Sequence, residues 1–420
     1  MRIVLAVEVL AIGGLPNYVL ALARLLAADG CDVVVAHGNE PLPAHLEYLG
    51  LAMMHLPGLD GSAGAAAVED ATARLLAWAP DVVHIHLCSN VGMLERLVAS
   101  GLPLVRTFHD LTSMCLRRGR RRWPGDRCQR ALHWSCAAWG CMVSPPGQGT
   151  LWPRFANLPR KLAERDQYRM FHAAIACSGF MARTLATNGF APNRVHVVPN
   201  FTSFEEDATA DEAPAKRPGV PGRDRPFELL FSGQAVTGKG LEILVSALAG
   251  IEQDWRLTVL SEGPRLAMAQ TLARQFGISD RIRFLGWIRQ AETRQHYLDA
   301  DLLVIPSIID EVLPLVGIEA MSLGTALVGF AVGGISDYLH DGETGILVND
   351  VSEAGLRAGL RRALADPDTV RAWAQAGRRH VANNYARKTH LQALYGVYRA
   401  AAYNGGSRPV AEHSAELGVV

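Results

Sequence analysis

Long apolar runs, a net charge and the pattern of an export signal are all missing from this sequence. No stretch of about 18 or more uninterrupted apolar residues occurs, which argues against a transmembrane helix. Lys and Arg total 41 against 41 Asp and Glu, so a globally basic surface for nucleic acid or an anionic membrane is excluded. The first residues have the pattern of a strand and lack a cleavage site. We therefore expect a cytoplasmic protein.

The composition excludes both extended disorder and a single small binding module. Hydrophobic residues make up 49% of the 420 residues and charged residues 20%, which are ordinary values for folded globular domains. At roughly 100 to 200 residues per domain, this length predicts two or three domains.

Short apolar runs alternate with helical stretches from the first residues onward. A strand at 3–7, a helix at 15–29 and a strand at 32–36 form a βαβ opening. Later continuous apolar runs are typical of parallel strands buried on both faces. These strands are predicted at 82–87, 104–108, 173–177, 195–198, 228–232, 256–260, 282–285, 302–305 and 326–330. The fold class is therefore α/β with two doubly wound domains.

A segment without periodicity suggests the domain boundaries. Residues 207–226 contain four prolines and two glycines, which is typical of a linker or exposed loop. We expect an active site between the two domains, beyond the carboxyl ends of the strands. Terminal helices are predicted at 356–364 and 369–403. The predicted organisation is an N-terminal domain at 1–206 with an insertion rich in Cys and Arg at 111–155, a linker at 207–226, a C-terminal domain at 227–385, a helix at 386–404 that crosses back, and a flexible tail at 405–420.

The most specific motif follows the predicted strand at 302–305. Pro314 is predicted in the first helical turn, so the free N–H groups of Leu315 and Val316 can face a phosphate. Glu311 and Glu319 are eight residues apart, which is about 12 Å along a helix. One carboxylate can then hold a sugar hydroxyl and the other a ribose hydroxyl. This spacing fits an extended nucleotide sugar.

With its neighbours, this segment resembles the donor signature of the retaining enzymes of glycosyltransferase family 4. The resemblance rests on the Glu311 to Glu319 spacing, the Glu-Ala-Met that begins at Glu319, and the later Gly333-Gly334 pair. It extends over nearly the whole chain through motifs in the family's order: Gly13-Gly14, Asp81 to His84, His109-Asp110, Ala176 to Ser178, Val198 to Asn200, Phe231 to Gly233, Lys239-Gly240 and Phe284 to Gly286. The resemblance implies a GT-B fold with two Rossmann-like domains facing across a cleft. It also implies a UDP- or GDP-sugar donor, with UDP favoured, and retention at the anomeric carbon; no catalytic metal is expected.

The loop from Gly233 to Gly240 leads from a strand into a helix, so its backbone and Lys239 can meet the diphosphate. Similar proteins usually have Arg directly after the first Gly, whereas this chain has Gln234, which removes a cation from the expected site. Arg265 either replaces that charge or is a surface arginine at a helix start. The predicted donor-binding residues are Gly14, Gly233, Gln234, Lys239, Arg265, Trp287, Ile288, Glu311, Leu313, Pro314, Leu315, Val316 and Glu319.

Candidate catalytic residues are His109, Glu311 and Lys239. His109 ends a predicted strand, where the family places a histidine next to the donor sugar. The resemblance implies that the donor's own phosphate takes the acceptor proton, so the helix N-terminus and Lys239 act by stabilising the departing diphosphate. His84 and His86 are interpreted as packed, hydrogen-bonded histidines. Trp287 and Ile288 are expected beside the nucleobase, with core packing as the alternative for Trp287.

Four of the seven cysteines cluster in the predicted insertion. Cys115, Cys128, Cys136 and Cys141 are separated by 12, 7 and 4 residues, and a structural zinc bound by their thiolates is the leading hypothesis. Free buried thiols and an iron–sulfur cluster are the alternatives, and His133 is a possible substitute ligand. A subset of the family looks similar, with cysteines in the loop after its His-Asp motif.

The insertion also carries five arginines in six positions, Arg117, Arg118 and Arg120 to Arg122. They are interpreted either as solvated charge or as a clamp for a phosphate-bearing acceptor such as a lipid diphosphate. Nearby tryptophans are candidates for sugar stacking, peripheral contact with the cytoplasmic membrane, or core packing; they are Trp123, Trp134, Trp139 and Trp152.

These features predict a retaining hexosyltransferase that moves a sugar from a nucleoside diphosphate to a hydroxyl of a glycan, a glycolipid precursor or a small natural product. Two alternatives remain open. One is a nucleotide-sugar epimerase of the same architecture, which needs no acceptor. The other is a catalytically weak sugar-nucleotide-binding subunit that docks a partner through its cysteine-rich loop.

Overall fold

A computed structural model describes residues 1–11, 13–42, 48, 50–121, 127–144, 154–202, 204 and 219–404. The chain divides into two compact units. The first unit comprises Met1–Cys177, Met181–Val198 and the stretch that begins at Leu391. The second unit comprises Ser178–Phe180 and Pro199–His390. Residues 391–404 therefore belong to the unit in which the chain began.

The first unit is built on a seven-stranded sheet in the order β3-β2-β1-β4-β5-β8-β9, with parallel pairing throughout. The elements are β1 (Arg2–Val7), α1 (Gly14–Ala28), β2 (Asp32–His37), β3 (Ala52–His55), α2 (Ala65–Ala77), β4 (Val82–Leu87), α3 (Val91–Ala99), β5 (Leu104–Phe108), α4 (Ser135–Ala138), β6 (Val143–Ser144), β7 (Arg154–Phe155), α5 (Leu158–Arg169), β8 (Ala173–Ala176), α6 (Gly179–Thr187) and β9 (Val195–Val197). Strands β6 and β7 form a separate antiparallel pair in the insertion.

The second unit contains a six-stranded parallel sheet in the order β12-β11-β10-β13-β14-β15. Its elements are β10 (Phe227–Ser232), α7 (Leu241–Leu248), β11 (Trp255–Leu260), α8 (Leu266–Gln275), β12 (Ile282–Gly286), α9 (Gln290–Asp299), β13 (Leu302–Ile305), α10 (Leu315–Ser322), β14 (Ala326–Phe330), β15 (Gly345–Val348), α11 (Glu353–Ala363) and α12 (Pro367–Asn384). Helix α13 (Arg387–Asn404) passes from this unit into the first.

The continuous apolar runs form the central strands because both faces of each sheet are covered by helices. Every residue of β5, β8, β13 and β14 is buried. In the second sheet the chain moves outward from β10 to β12 and then returns to pair β13 beside β10. This reversal creates a topological switch point between β10 and β13, where loops at the carboxyl ends of doubly wound sheets form binding crevices.

The predicted strand positions agree closely with the structure, but four short strands were missed, of which β3 and β15 belong to the two large sheets. Strand β3 is only partly buried and has the sequence Ala-Met-Met-His, so it lacks the β-branched apolar pattern that predicts strands. Strand β15 has four residues and begins at Gly345, whose φ is +152°. A short strand with a glycine start has little periodicity to detect.

The segment predicted as helical at 369–403 forms two helices, and the second, α13, begins one residue after the start predicted for the helix at 386–404. The break occurs at Tyr385, which is the C-cap of α12. Its ring is buried, and its hydroxyl donates a hydrogen bond to the carbonyl oxygen of Asp337, 3.4 Å away. The packing of this side chain outweighs the local helix propensity of the surrounding sequence.

The predicted linker is only partly covered, because residues 207–218 lie outside the described part of the chain. Its last residues form a turn with a bridge between Pro221 and Arg225. Arg225 then makes two hydrogen bonds to the Asp301 carboxylate at 2.6 and 2.8 Å. Residues 219–226 are thus anchored to the second sheet rather than forming a free linker.

Candidate active site

The loops that follow β10 and β13 are packed against each other at the switch point of the second sheet. The Ile308 N–H donates to the Gly238 carbonyl oxygen at 2.8 Å. Gly240 has a φ of +75°, and a Cβ at this position would lie 1.9 Å from the Pro306 carbonyl oxygen. Only glycine permits this backbone conformation and this close approach.

This packing brings Lys239 to Glu311, although the two residues are 72 positions apart. Lys239 Nζ donates to Glu311 Oε1 at 2.6 Å, and Ser307 Oγ donates to the same oxygen at 2.7 Å. The side chains are 29% and 14% exposed for Lys239 and Glu311. A partly buried cation and carboxylate therefore lie together beside the switch point, where a ligand can reach both.

The Gly333-Gly334 pair that follows β14 holds the backbone of Glu311. The Gly334 N–H donates to the Glu311 carbonyl oxygen at 2.7 Å. Gly333 has a φ of +57°, and a Cβ there would lie 2.0 Å from the same oxygen. This pair lets three loops at one edge of the sheet meet at Glu311.

Helix α10 begins directly after Glu311 and its neighbours. Pro314 is the N-cap residue, with an extended backbone, and the helix begins at Leu315. The helix therefore begins one residue later than predicted. Leu315 and Val316 are half-buried, and Leu313 and Pro314 are buried. First-turn amides of a helix have no acceptor within that helix, so the N–H groups of Leu315 and Val316 remain the expected anion donors.

The predicted helical separation of Glu311 and Glu319 was wrong. Glu311 lies in the loop before α10, whereas Glu319 lies within the helix, so the rise of 1.5 Å per residue does not describe the segment between them. A proline N-cap and the contacts of Glu311 with the glycine pair keep that segment out of helical conformation. The eight-residue spacing brings a loop carboxylate and a helix carboxylate to the same edge of the sheet.

Glu319 is held by a tyrosine that sequence reasoning missed. Tyr297 on α9 donates from its hydroxyl to Glu319 Oε2 at 3.2 Å, and Ser232 Oγ at the end of β10 lies 3.5 Å from the same hydroxyl. Burial and then the negative charge of Glu319 raise the pKa of Tyr297 well above its usual value. The phenol therefore stays protonated and orients the carboxylate. The only feature of the sequence that pointed to Tyr297 was a tyrosine at an apolar position of a helix.

The loop after β10 carries Gln234 in place of the arginine expected from the resemblance. Gln234 is exposed, and Gly233 before it has a φ of +149°. Arg265 lies beside this loop, since its backbone N–H donates to the Ala235 carbonyl oxygen at 2.9 Å. Its guanidinium, however, forms an ion pair with Glu242. The Arg265 charge is already matched, which weakens its candidacy as a substitute cation.

Trp287 and Ile288 follow the end of β12, at the same edge of the second sheet. Trp287 is 49% exposed, and Ile288 is half-buried. Trp287 is therefore not packed in the core. A large exposed aromatic ring at the carboxyl edge of a doubly wound sheet is well placed to meet a planar ligand group.

The candidates Gly14 and His109 lie in the first unit and follow β1 and β5. Helix α1 begins at Gly14, whose position has open space around a hypothetical Cβ. The His109 ring has contacts within its own unit: Nε2 lies 2.9 Å from His86 Nδ1, and Nδ1 lies 3.7 Å from Cys177 Sγ. The ring also packs against Tyr18, with centroids 5.0 Å apart. Both ring nitrogens of His109 thus have partners in the protein.

Buried histidines support this arrangement, as the interpretation of His84 and His86 expected. Both are 1% exposed. His84 Nδ1 lies 2.8 Å from the Tyr398 hydroxyl of α13, and its Nε2 lies 2.6 Å from Thr107 Oγ1. The link from His86 to His109 was missed, although the His-x-His spacing places both histidines on one face of β4 beside β5.

The four cysteines of the insertion line one small cavity. Cys115, Cys128, Cys136 and Cys141 are all partly exposed free thiols. Burial, followed by the effect of neighbouring thiols, raises the pKa of Cys141. Within the described ranges, no group of three or more His, Cys, Asp or Glu side chains is already assembled to hold a metal ion.

Two family models match this chain. The model described as "Glycosyltransferase Family 4" matches residues 12–206, and the model described as "Glycosyl transferases group 1" matches residues 214–380. Together they cover most of both units. The chain belongs to glycosyltransferase family 4.

Curated relatives of this glycosyltransferase extend over nearly its full length. It is 29% identical to a D-inositol 3-phosphate glycosyltransferase of Xylanimonas cellulosilytica, over 93% of this chain and 92% of the relative. It is 27% identical to a glycogen synthase of Mycobacterium tuberculosis, over 96% of each chain. These names agree with the predicted enzyme class, glycosyltransferase.

Solved structures confirm the fold class of the glycosyltransferase as GT-B. Sucrose-phosphate synthase from Thermosynechococcus elongatus aligns with a TM-score of 0.68 at 20% identity, covering 95% of this chain and 98% of that one. HepE from Anabaena, solved in complex with UDP and glucose, aligns with a TM-score of 0.67 at 16% identity, covering 94% and 98%. At these identities the likeness concerns the fold.

The arginine-rich run of this glycosyltransferase is partly structural. Arg120 is buried and donates to the Cys128 carbonyl oxygen at 2.9 Å, and Arg117 donates to the Val143 carbonyl oxygen at 2.9 Å. Arg118 is exposed. Only part of the run therefore remains available as a clamp, and Arg122 lies outside the described residues.

Two of the four tryptophans in the insertion lie among the residues that the structure describes. Trp134 and Trp139 are 59% and 42% exposed, so core packing does not account for them. Trp123 and Trp152 lie outside the described residues. None of the helices in the described part of the chain is both long and apolar enough to cross a membrane.

Proposed function

We propose that this enzyme is a retaining hexosyltransferase that transfers a sugar from a nucleoside diphosphate, UDP rather than GDP, to a hydroxyl acceptor. The observation that carries the proposal is the pairing of Lys239 with Glu311 beside the N-terminus of α10. A cation, a carboxylate and helix amides meet there at the switch point, and a diphosphate attached to a sugar requires all three.

In this proposal Lys239 exchanges partners when the donor binds. The diphosphate attracts Lys239 Nζ and the first amides of α10, because both offer positive charge to an anion. Glu311 then turns its carboxylate to the sugar hydroxyls, while Ser307 continues to hold it in place. Gln234 donates hydrogen bonds to the diphosphate without charge, so Lys239 and the helix amides carry most of the electrostatic stabilisation.

Glu319 binds the ribose of the donor in this arrangement. A carboxylate accepts hydrogen bonds from two neighbouring hydroxyls, and the Tyr297 hydroxyl fixes its orientation. Trp287 and Ile288 lie next to the base. The choice of UDP is supported by HepE, which has the same fold and was solved with UDP and glucose.

We assign retention to a front-side reaction in which the departing diphosphate takes the acceptor proton. The chain's contribution is to stabilise the charge on the leaving group, which Lys239 and the α10 amides provide. His109, held by His86 and Cys177 within its own unit, is the candidate polar contact for the sugar. A donor contact through its ring nitrogens requires one of these two contacts to open.

The acceptor is proposed to be a hydroxyl of a glycan, a glycolipid precursor or a natural product, bound on the side of the insertion. Support for a phosphate-bearing acceptor comes from the exposed Arg118 and from a relative named D-inositol 3-phosphate glycosyltransferase. The exposed Trp134 and Trp139 support peripheral contact with the cytoplasmic membrane. A cytoplasmic location remains part of the same proposal.

Calorimetric titration with UDP and with GDP tests the donor site. Glu319→Ala should weaken UDP binding by about 10-fold to 100-fold, since hydrogen bonds to a charged group contribute about 1.5–3 kcal/mol. Tyr297→Phe should weaken it less, because the carboxylate remains and loses only its support. Glu252→Ala, an exposed carboxylate of the same unit, is the matched control. Equal affinity for UDP in the wild type and Glu319→Ala would refute the assignment of Glu319.

Product analysis distinguishes transfer from the alternatives. Incubation of a UDP-hexose with an acceptor should yield a glycoside with the anomeric configuration of the donor, read by NMR coupling constants. Conversion of the donor to an isomer without acceptor would indicate the epimerase instead. Tight UDP binding with no turnover on any acceptor tested would favour the partner-docking subunit.

A further inference from the structure

A cavity of about 30 Å³ in the insertion is lined by Cys115, Cys128, Cys136 and Cys141. These are all four cysteines of the insertion, and the other three cysteines of the chain do not line the cavity. Space of this size accommodates about one water-sized sphere. It can therefore hold a single ion.

Backbone hydrogen bonds fold the loop so that the cysteines converge. The Cys128 N–H donates to the Arg120 carbonyl oxygen at 2.6 Å, and the Cys141 N–H donates to the Cys136 carbonyl oxygen at 3.0 Å. Cys136 also packs against a buried cluster that contains Leu132, Leu158 and Leu162. Convergence is thus produced by the fold of the insertion, because the sequence separations alone do not bring these side chains together.

Backbone N–H groups of the loop point at the sulfur of Cys115. Burial raises the pKa of the Cys115 thiol, but hydrogen bonds from the backbone N–H groups of Arg117, Arg118 and Arg120 oppose the rise. Successive backbone N–H groups that point at one atom form an anion-binding concavity, and such donors orient and stabilise metal ligands from outside the coordination shell.

Three arginines line the same cavity, namely Arg120, Arg121 and Arg130. A divalent ion bound by four thiolates has a net charge of −2, so nearby guanidinium groups offset it. Carboxylates are absent from the cavity lining among the described residues. The charge of the surroundings thus matches a tetrathiolate centre, and it gives the arginine run a role besides acceptor binding.

The insertion also has little apolar core of its own. Its buried hydrophobic side chains in the described ranges are Leu111, Met114 and Leu132. Leu132 packs with Leu158 and Leu162 of α5. Small segments with so few buried apolar groups are commonly stabilised by a metal.

We propose that Cys115, Cys128, Cys136 and Cys141 bind one structural Zn²⁺ in tetrahedral geometry. Since no metal centre is preassembled within the described ranges, binding requires the thiol side chains to turn towards the cavity. Each of the four S–H groups releases its proton to solvent as a Zn–S bond forms, with no change of oxidation state. The metal fixes the insertion against α5 and does not take part in sugar transfer.

The first experiment measures metal in the full-length protein, expressed with added zinc and purified under reducing conditions without chelators. We expect about one zinc per chain by plasma mass spectrometry. Titration with a mercurial thiol reagent should release this zinc in proportion to the thiols modified. Reconstitution of metal-free protein with Co²⁺ should produce the intense near-ultraviolet charge-transfer bands of cobalt bound to several thiolates.

Variants locate the site. Zinc content should fall to nearly zero in the Cys128→Ser/Cys136→Ser double variant and remain at about one in Cys31→Ser, whose residue lies outside the cavity and contacts Tyr395. If the double variant is insoluble, zinc release and the cobalt spectrum of the wild type still decide the question. Wild-type protein without zinc and without cobalt–thiolate bands would overturn the proposal, as would a double variant that retains zinc.

Discussion

The burial of His390 leads us to expect that the free energy of unfolding decreases in acid. The residue is buried at the end of the second unit, with Nδ1 2.8 Å from the Pro199 carbonyl oxygen and its ring 5.1 Å from that of Phe201. Burial lowers its pKa to about 4, although the hydrogen bond to Pro199 opposes the shift. In the unfolded chain the value returns to about 6.5.

The direction of the change in stability with pH follows from which state of the protein binds the proton first. Because the folded pKa is depressed, the unfolded chain binds a proton first as the pH falls below about 6.5, and stability decreases until the folded state also protonates near pH 4. The full shift corresponds to about 3 kcal/mol, of which about 2 kcal/mol should be lost between pH 7 and pH 5. Above about pH 6.5 this histidine contributes no pH dependence.

The test compares the wild type with His390→Asn, which keeps an N–H donor near the Pro199 carbonyl oxygen but does not titrate. Urea unfolding, followed by circular dichroism from pH 7.5 to pH 4.5, gives the free energy of unfolding of both proteins. The advantage of the wild type should shrink by about 2 kcal/mol between pH 7 and pH 5. Val381→Ala, a substitution at a buried residue, is the control, because its effect on the free energy of unfolding should not vary with pH. Parallel pH curves for the wild type and His390→Asn would refute the reasoning.

Two further predictions concern the switch point. Glu311→Gln keeps an acceptor for Ser307 but loses the charge that pairs with Lys239, so kcat/KM for sugar transfer should fall about 10-fold to 100-fold, as expected for a lost charged hydrogen bond. Calorimetry should show UDP binding that is undiminished, because Lys239 is freed for the diphosphate; a parallel loss of binding and transfer would contradict this division of roles. Gly240→Ala should lower the melting temperature and abolish transfer, because its Cβ would meet the Pro306 carbonyl oxygen and a left-handed conformation costs roughly 1–2 kcal/mol for alanine. Gly396→Ala, with open space around the added methyl group, should be nearly neutral in both measurements.

The sequence by itself determined the two doubly wound sheets. A parallel strand buried on both faces must be continuously apolar, and this local requirement is visible in runs such as Leu302–Ile305 and Ala326–Phe330. The glycine pair at 333–334 and the glutamates at 311 and 319 were also recognisable, because their conformational or chemical demands belong to single positions.

Tertiary structure alone decided which of these residues meet. Lys239 reaches Glu311 across 72 residues because β10 and β13 pair at the switch point. Tyr297 supports Glu319 from another helix. Such contacts depend on strand order and on the packing of loops from different parts of the chain, which no local pattern contains. The same reason explains the insertion: the sequence showed four cysteines, whereas only the folded loop placed them around one cavity.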